Sequence, residues 1–192
     1  MNESFVQQLN ELGYFRGMTP EDAGALREEI VKLGWLGLFS DAYRLRAADA
    51  EDLAEGGIGQ FIAELEPFLT AEGVTLPEIE DNASIDGYVV NVGGIAHPIY
   101  DAADLELDAP EGKAGIIWGL SMTRGFAVVD ELLTAAGSEE RVYAVNGGND
   151  LFAYILTPEL QRVIMEHPDA SRSDGPYKPT EEYPWFGQPH LS

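Results

Sequence analysis

Arg141-Val142-Tyr143-Ala144-Val145-Asn146-Gly147-Gly148-Asn149-Asp150-Leu151-Phe152-Ala153-Tyr154-Ile155-Leu156 reads as two strands joined by a tight connection. β-branched and aromatic residues flank a pair of glycines, which tolerate the positive φ angles that hairpin turns require. A second such unit precedes it: Tyr88-Val89-Val90-Asn91-Val92, then Gly93-Gly94, then Ile95-Ala96-His97-Pro98-Ile99-Tyr100. Tyr88-Val89-Val90-Asn91 also echoes Tyr143-Ala144-Val145-Asn146. Turn chemistry accounts for that echo as well as a duplicated hairpin does.

The two hairpins differ in patterning. With Gly93 and Gly94 as turn residues, Val92 faces Ile95, Val90 faces His97 and Tyr88 faces Ile99, so those six side chains share one face, the expected core side. Pro98 removes a ladder donor and places its strand at a sheet edge. The second hairpin is apolar on both faces, which calls for cover on both and a central position.

Working outward, helical spacing dominates residues 1 to 80. Thr19 is a natural N-cap, with Pro20 at the first helical position, Glu21 and Asp22 in the first turn, and Ala23, Leu26, Ile30 and Leu33 on one face. Gly34 and Gly37 weaken continuation, so Trp35 to Phe39 form a bend or a second short helix. Asp49 caps a further helix, and Ile58, Phe61, Ile62, Leu65 and Leu69 repeat at helical spacing with Pro67 as a kink point. Residues 75 to 86 read as a connector and 101 to 115 as an acidic loop. Trp118, Met122, Phe126, Val129 and Leu133 mark one helix face ending at Gly137, along which Gly119 and Gly125 allow close packing on the sheet. Thr157-Pro158-Glu159 opens a last helix.

The sequence therefore predicts an α+β fold: an antiparallel sheet from two Gly-Gly hairpins packed with helices, a helical N-terminal half and an irregular C-terminal strap. The expected organisation is a single domain over 1–166, with a helical half (1–80) and a hairpin-helix-hairpin-helix half (81–166). Five prolines from Pro168 to Pro189 make 167–192 an extended strap, and its Tyr177, Tyr183, Trp185 and Phe186 call for an apolar surface to lie against.

Composition narrows the function classes. There are 34 acidic and 11 basic residues in 192, a net charge of −23. Such a surface repels nucleic-acid phosphates and anionic lipid, and it favours a basic protein partner. Solubility in the cell's solvent explains acidity equally simply, and only three lysines are present, Lys32, Lys113 and Lys178. No cysteine is available for a disulfide, thiol nucleophile or zinc-thiolate site. The first residues lack the basic start and apolar run of a secretory signal, and no stretch approaches the ~20 apolar residues of a membrane span. A cytoplasmic location follows as the expectation.

No motif for chemistry is complete. Gly119-Leu120-Ser121-Met122-Thr123 approximates a nucleophile elbow and is followed in order by Asp150 and then His167 or His190, but it lacks the final glycine and falls in a helical stretch. The acidic loops beginning at Asp81 and Asp169 place glycine seventh, where calcium loops need it sixth. Gly56-Gly57-Ile58-Gly59 has no preceding strand for phosphate binding. No metal or other cofactor is expected.

The recognition candidates are His97, at a core-facing edge position, the turn residues Asn146, Asn149 and Asp150, and Trp185 of the strap. The favoured class is a non-enzymatic, acidic protein-binding module, for example an inhibitor or immunity-type antagonist of a basic nuclease or other basic protein. Two alternatives stay open. One is a small enzyme with a site near His97 and Asp150; the other is a structural, homo-oligomerising protein joined through Trp185 and Phe186.

Overall fold

The structure, a computed structural model, describes residues 2–108, 115–170, 175–183 and 185–189. It is α+β, with two separate three-stranded antiparallel sheets where the sequence suggested one. In chain order, α1 (Asn2–Glu11), α2 (Pro20–Leu33) and a 3-10 turn (Gly34–Ser40) lead to β1 (Leu45–Ala47). Three short helices follow, α3 (Ala50–Ala54), α4 (Ile58–Glu64) and α5 (Glu66–Ala71), then β2 (Ile79–Ser84), β3 (Gly87–Val92) and β4 (Ile95–Tyr100). The chain continues through α6 (Ala102–Asp108), α7 (Ile116–Ala135), β5 (Arg141–Val145), β6 (Phe152–Leu156) and α8 (Pro158–Met165).

The expected caps form. Thr19 Oγ1 accepts the Asp22 N–H (3.1 Å), Asp49 accepts from Glu51 and Asp52, and Thr157 Oγ1 accepts from Leu160. Each satisfies backbone donors that a helix start leaves unpaired. Pro67 sits at the start of α5, so the 58–71 stretch breaks at Leu65 instead of kinking.

The first sheet has the order β1-β6-β5 and is buried on both faces, as its patterning requires. Val142, Ala144, Ala153 and Ile155 enter one core, shared with Met122, Phe126 and Val129 of α7. Tyr143, Val145, Tyr154 and Leu156 enter a second core with Phe5, Leu9, Leu26, Ile30 and Leu160 from α1, α2 and α8. The sheet thus separates two apolar layers. The other sheet, β2-β3-β4, gives Tyr88, Val90, Val92 and Ile99 to the first core only. Contact with both β4 and β5 places α7 between the sheets, which explains why it buries residues beyond the single stripe.

Four local expectations need correction. Residues 79 to 84 are strand β2, not connector, paired from Ile79↔Val92 to Ser84↔Gly87; five of its six residues are exposed, so no apolar alternation announces it. Residues 102 to 108 are α6, capped by Asp101, which accepts from the Ala103 and Asp104 N–H groups. Opposite Tyr88 stands Tyr100, not Ile99, because the ladder bulges between Tyr88 and Val89; Ile95 is 66% exposed at the hairpin tip, beyond the core. Gly119 and Gly125 pack not on a sheet but against the backbone of Phe186 in the strap and against Ile58 of α4.

The hairpin turns also diverge. Gly93 (φ 58°) and Gly94 (φ 82°) form the expected two-residue connection, whereas between β5 and β6 the left-handed positions are Asn146 (φ 59°) and Gly148 (φ 61°), followed by a 3-10 turn over Gly148–Asp150. Asn tolerates that region through local hydrogen bonding.

The strap closes the first sheet's edge. Tyr177 exchanges both backbone hydrogen bonds with Ala144 (2.8 and 2.9 Å). Lys178 ion-pairs with Asp130 and donates to Val142 O, and Arg124 grips Glu181 through two bonds (3.0 and 2.7 Å) while reaching Asp104 (2.7 Å) and Ile99 O (2.7 Å).

Candidate functional site: an acidic surface and a buried network

Between Arg46 and Lys113 the sequence runs for 66 residues without a lysine or arginine, yet with sixteen carboxylates. The remaining 126 residues hold all eleven bases against eighteen acids. The fold converts this asymmetry into a place. The segment makes α3 to α6 and the whole β2-β3-β4 sheet, so its described carboxylates are carried on those elements, with only the end of α5 meeting the α1–α2 turn, through Arg16.

Few of these carboxylates are neutralised by ion pairs among the described residues: Arg16 meets Glu72 (2.8 Å) and Arg124 meets Asp104. Others cap helices. Asp81 is the most constrained; both its oxygens accept the Gly59 N–H at the start of α4 (3.1 and 3.0 Å), and Oδ1 also accepts the Tyr88 hydroxyl. Tyr88 in turn accepts the Ile58 N–H (3.2 Å), so a strand carboxylate and a strand phenol together cap a helix that lacks its own capping side chain. Burial first, then Asp81, pushes the Tyr88 phenol far above its ordinary value.

A cleft of about 390 Å³ opens between α3 and α4, lined by Asp49, Asp52, Glu55 and Glu64 together with Gly56, Gly57 and Phe61. Beside it, a Cβ on Gly56 would come within 3.3 Å of the Ala83 Cβ, so the α3–α4 turn adjoins β2 and joins the cleft to that strand's carboxylates. Two of the larger clefts have a different character. One of about 700 Å³ is lined by Glu72 and Glu140, but Arg16 reaches both. One of about 610 Å³ runs between Gly17 and Tyr43 with Asp41 in its wall.

Asp41 and Glu140 belong to a buried network. Asp41 Oδ1 accepts the Tyr43 and Arg44 N–H groups (2.8 and 2.9 Å), and Oδ2 accepts the Tyr14 hydroxyl (2.5 Å), which also bonds Tyr154. Arg44, 1% exposed, donates to both Glu140 oxygens (3.0 Å each), to Ile155 O (3.0 Å) and to Tyr14 O (2.6 Å). Burial holds the Tyr14 and Tyr154 phenols well above their ordinary range; it also raises Glu140, outweighing the pull of Arg44. These groups are perturbed because they are sealed and satisfied. They fasten the α1–α2 turn to the first sheet.

The recognition candidates fall in three places. His97 pairs with Val90 on the β4 edge, partly buried, with Nδ1 3.6 Å from Glu131 Oε2 of α7. Asn146, Asn149 and Asp150 share the β5–β6 connection, where Asn149 donates to Glu51 of α3 (3.4 Å) and Asn146 O accepts the Tyr177 hydroxyl (2.8 Å). Trp185 is half-buried in a strap turn, its backbone N–H donating to Glu182 O (2.7 Å). The strap and the connection meet through Tyr177 and through Gln188 beside Gly147. His97 and Asp150 belong to different sheets, and no described hydrogen bond or ion pair joins them.

The elbow-like Ser121 is fully buried within α7. His167 is buried against the Phe5 ring and accepts the Asp169 N–H (3.3 Å); His190 lies outside the described residues. Among the described residues no group of three or more His, Asp or Glu is placed to hold a metal, and no helix is long and apolar enough to cross a membrane.

Compared with known proteins, the chain matches no family model, no curated relative and no solved structure.

Proposed function

We propose that this chain is a non-catalytic recognition module whose acidic surface, around the α3–α4 cleft and β2, captures a basic protein. An inhibitor or immunity-type antagonist of a basic enzyme is its concrete form. The observation that carries the reading is the segregation of charge along the chain: a solubility device needs only a negative total, whereas a stretch of sixteen carboxylates without a lysine or arginine among them favours a local field able to steer a cationic partner. The Asp52, Glu55 and Glu64 carboxylates contribute to that field without an ion pair among the described residues.

Titrating the protein against a panel of basic and neutral proteins at low and high salt tests this. Binding confined to basic partners is expected, with an association rate that falls about 10-fold or more as salt is raised. The triple variant Asp52→Asn, Glu55→Gln, Glu64→Gln should slow association while keeping the fold. Binding to no basic protein, or binding indifferent to salt and to the triple variant, would overturn the reading.

A further inference from the structure

We propose that the free edge of β2 is where the partner docks, by adding an extended, lysine- or arginine-rich segment as a further strand of the β2-β3-β4 sheet. This rests on the recognition reading above and specifies its geometry.

An open sheet edge is a template for another strand, and natural proteins blunt such edges with brevity, proline, bulges, covering chain or charge. Three of the four edges here are blunted structurally. β1 is three residues long, β4 carries Pro98 and the bulge, and β5 is covered by the Tyr177 bridge. β2 is different. It is six residues long and free of proline, its register with β3 is unbroken, and β3 is its only strand partner among the described residues.

Which backbone groups it offers follows from the ladder. The Gly93 N–H donates to Glu78 O (2.8 Å), so the even-numbered residues turn their backbone toward β3. Ile79, Asp81 and Ala83 therefore turn their N–H and C=O groups to the open side. Asp81 is held in place there by its α4 cap.

Among the described residues only charge guards this edge, and it is of one sign: Glu78, Glu80, Asp81 and Asp86 lie on or beside β2 with no ion pair described. Two copies meeting edge to edge would oppose these carboxylates to one another, which disfavours self-pairing. A strand with cations at alternate positions meets the reverse situation. Because alternate side chains share one face, its cations would lie together, either beside Glu78 and Glu80 or, in the register shifted by one residue, toward the cleft carboxylates Asp52 and Glu55, next to Ala83. Main-chain bonds supply affinity in such pairing, and charge supplies the choice of partner.

The test uses the full chain and two peptides of equal length and charge, one alternating lysine with valine or threonine, the other a helix-forming lysine–alanine sequence. The extended peptide is expected to bind at least about 10-fold tighter at low salt. It should slow amide exchange at Ile79, Asp81 and Ala83, while Glu80 and Asn82 change little because they already bond β3. Ala83→Pro removes one outward donor and should weaken the extended peptide alone; if that variant fails to fold, the exchange pattern of the unaltered protein decides. Equal binding of both peptides without slowing at those three amides would overturn strand addition yet leave acidic recognition standing. If neither peptide and no basic protein binds, both readings fall.

Discussion

The two sheets of this protein are the same size and sense but solve opposite problems. β1-β6-β5 is wrapped on both faces, its β5 edge is bridged by the strap, and its polar neighbours are compensated down to the Arg44–Glu140 pair. β2-β3-β4 is buried on one face, leaving Glu80, Asn82, Ala96 and Pro98 exposed on the other, and among the described residues its β2 edge is guarded only by charge. Two-sided burial is concentrated in the first sheet and accessible backbone in the second. The described cations follow the same division. Arg44, Arg124 and Lys178 are spent on internal fastening, and no ion pair among the described residues reaches the Asp52, Glu55 and Glu64 carboxylates of the α3–α4 cleft.

The largest expected effect lies on the first sheet. Glu140→Gln leaves Arg44 buried without its charge partner and should cost about 3–5 kcal/mol in denaturant unfolding. The pair Arg44→Met with Glu140→Leu, which removes both charges, should cost less than the single change. A loss below about 1 kcal/mol for Glu140→Gln would break the contrast, because the network would then not be fastening the sheet.

Next in size is an alkaline transition. The buried Tyr14 and Tyr154 have folded pKa values raised above the unfolded ones, so their stabilising contribution is complete below about pH 10. Above that pH the unfolded phenols ionise while the folded ones resist, and stability falls by up to about 1.4 kcal/mol per pH unit for each. Tyrosine absorbance should therefore change cooperatively with loss of circular dichroism. Independent early titration of these phenols would show that the first sheet's network is open to water. Tyr177, pushed up to about 12 by burial where the strap bridges β5, should titrate above the ordinary phenol range.

The smallest effect on stability is expected at the second sheet. Glu80→Gln should move the unfolding free energy by no more than about 0.5 kcal/mol, since the side chain is exposed and described in no ion pair. Its association with a basic protein at low salt should slow measurably all the same. That separation of stability from association is the sharpest form of the contrast between the sheets.

Much of this architecture was legible beforehand, and particular residues show why. Thr19, Asp49 and Thr157 announced their helix starts because capping is local chemistry. Val142 to Ile155 announced two-sided burial because apolar residues occupy both faces of the strands. β2 was not legible: Glu80-Asp81-Asn82-Ala83-Ser84 is polar on both faces and joins the sheet only because β3 offers it a ladder. The candidate surface was half legible. The absence of lysine and arginine from 47 to 112 stands in the sequence, but a total of −23 conceals it unless charge is counted by segment. The buried Arg44 network was missed for a different reason. Its members Tyr14, Asp41, Arg44, Glu140 and Tyr154 are scattered over 140 positions, and nothing local marks them as partners.

The sequence by itself determined the α+β class, the helix starts, the glycine hairpins, the need to cover the second hairpin on both faces and the sign of the field. Only the tertiary structure decided that the hairpins belong to different sheets, that α7 lies between them, that the strap seals β5, and that β2 is left open beside the α3–α4 cleft. Capping, turn formation and apolar alternation act over a few neighbouring residues and leave marks at fixed spacing. Strand partnership and edge exposure depend on which distant segment arrives alongside, and no local spacing records that.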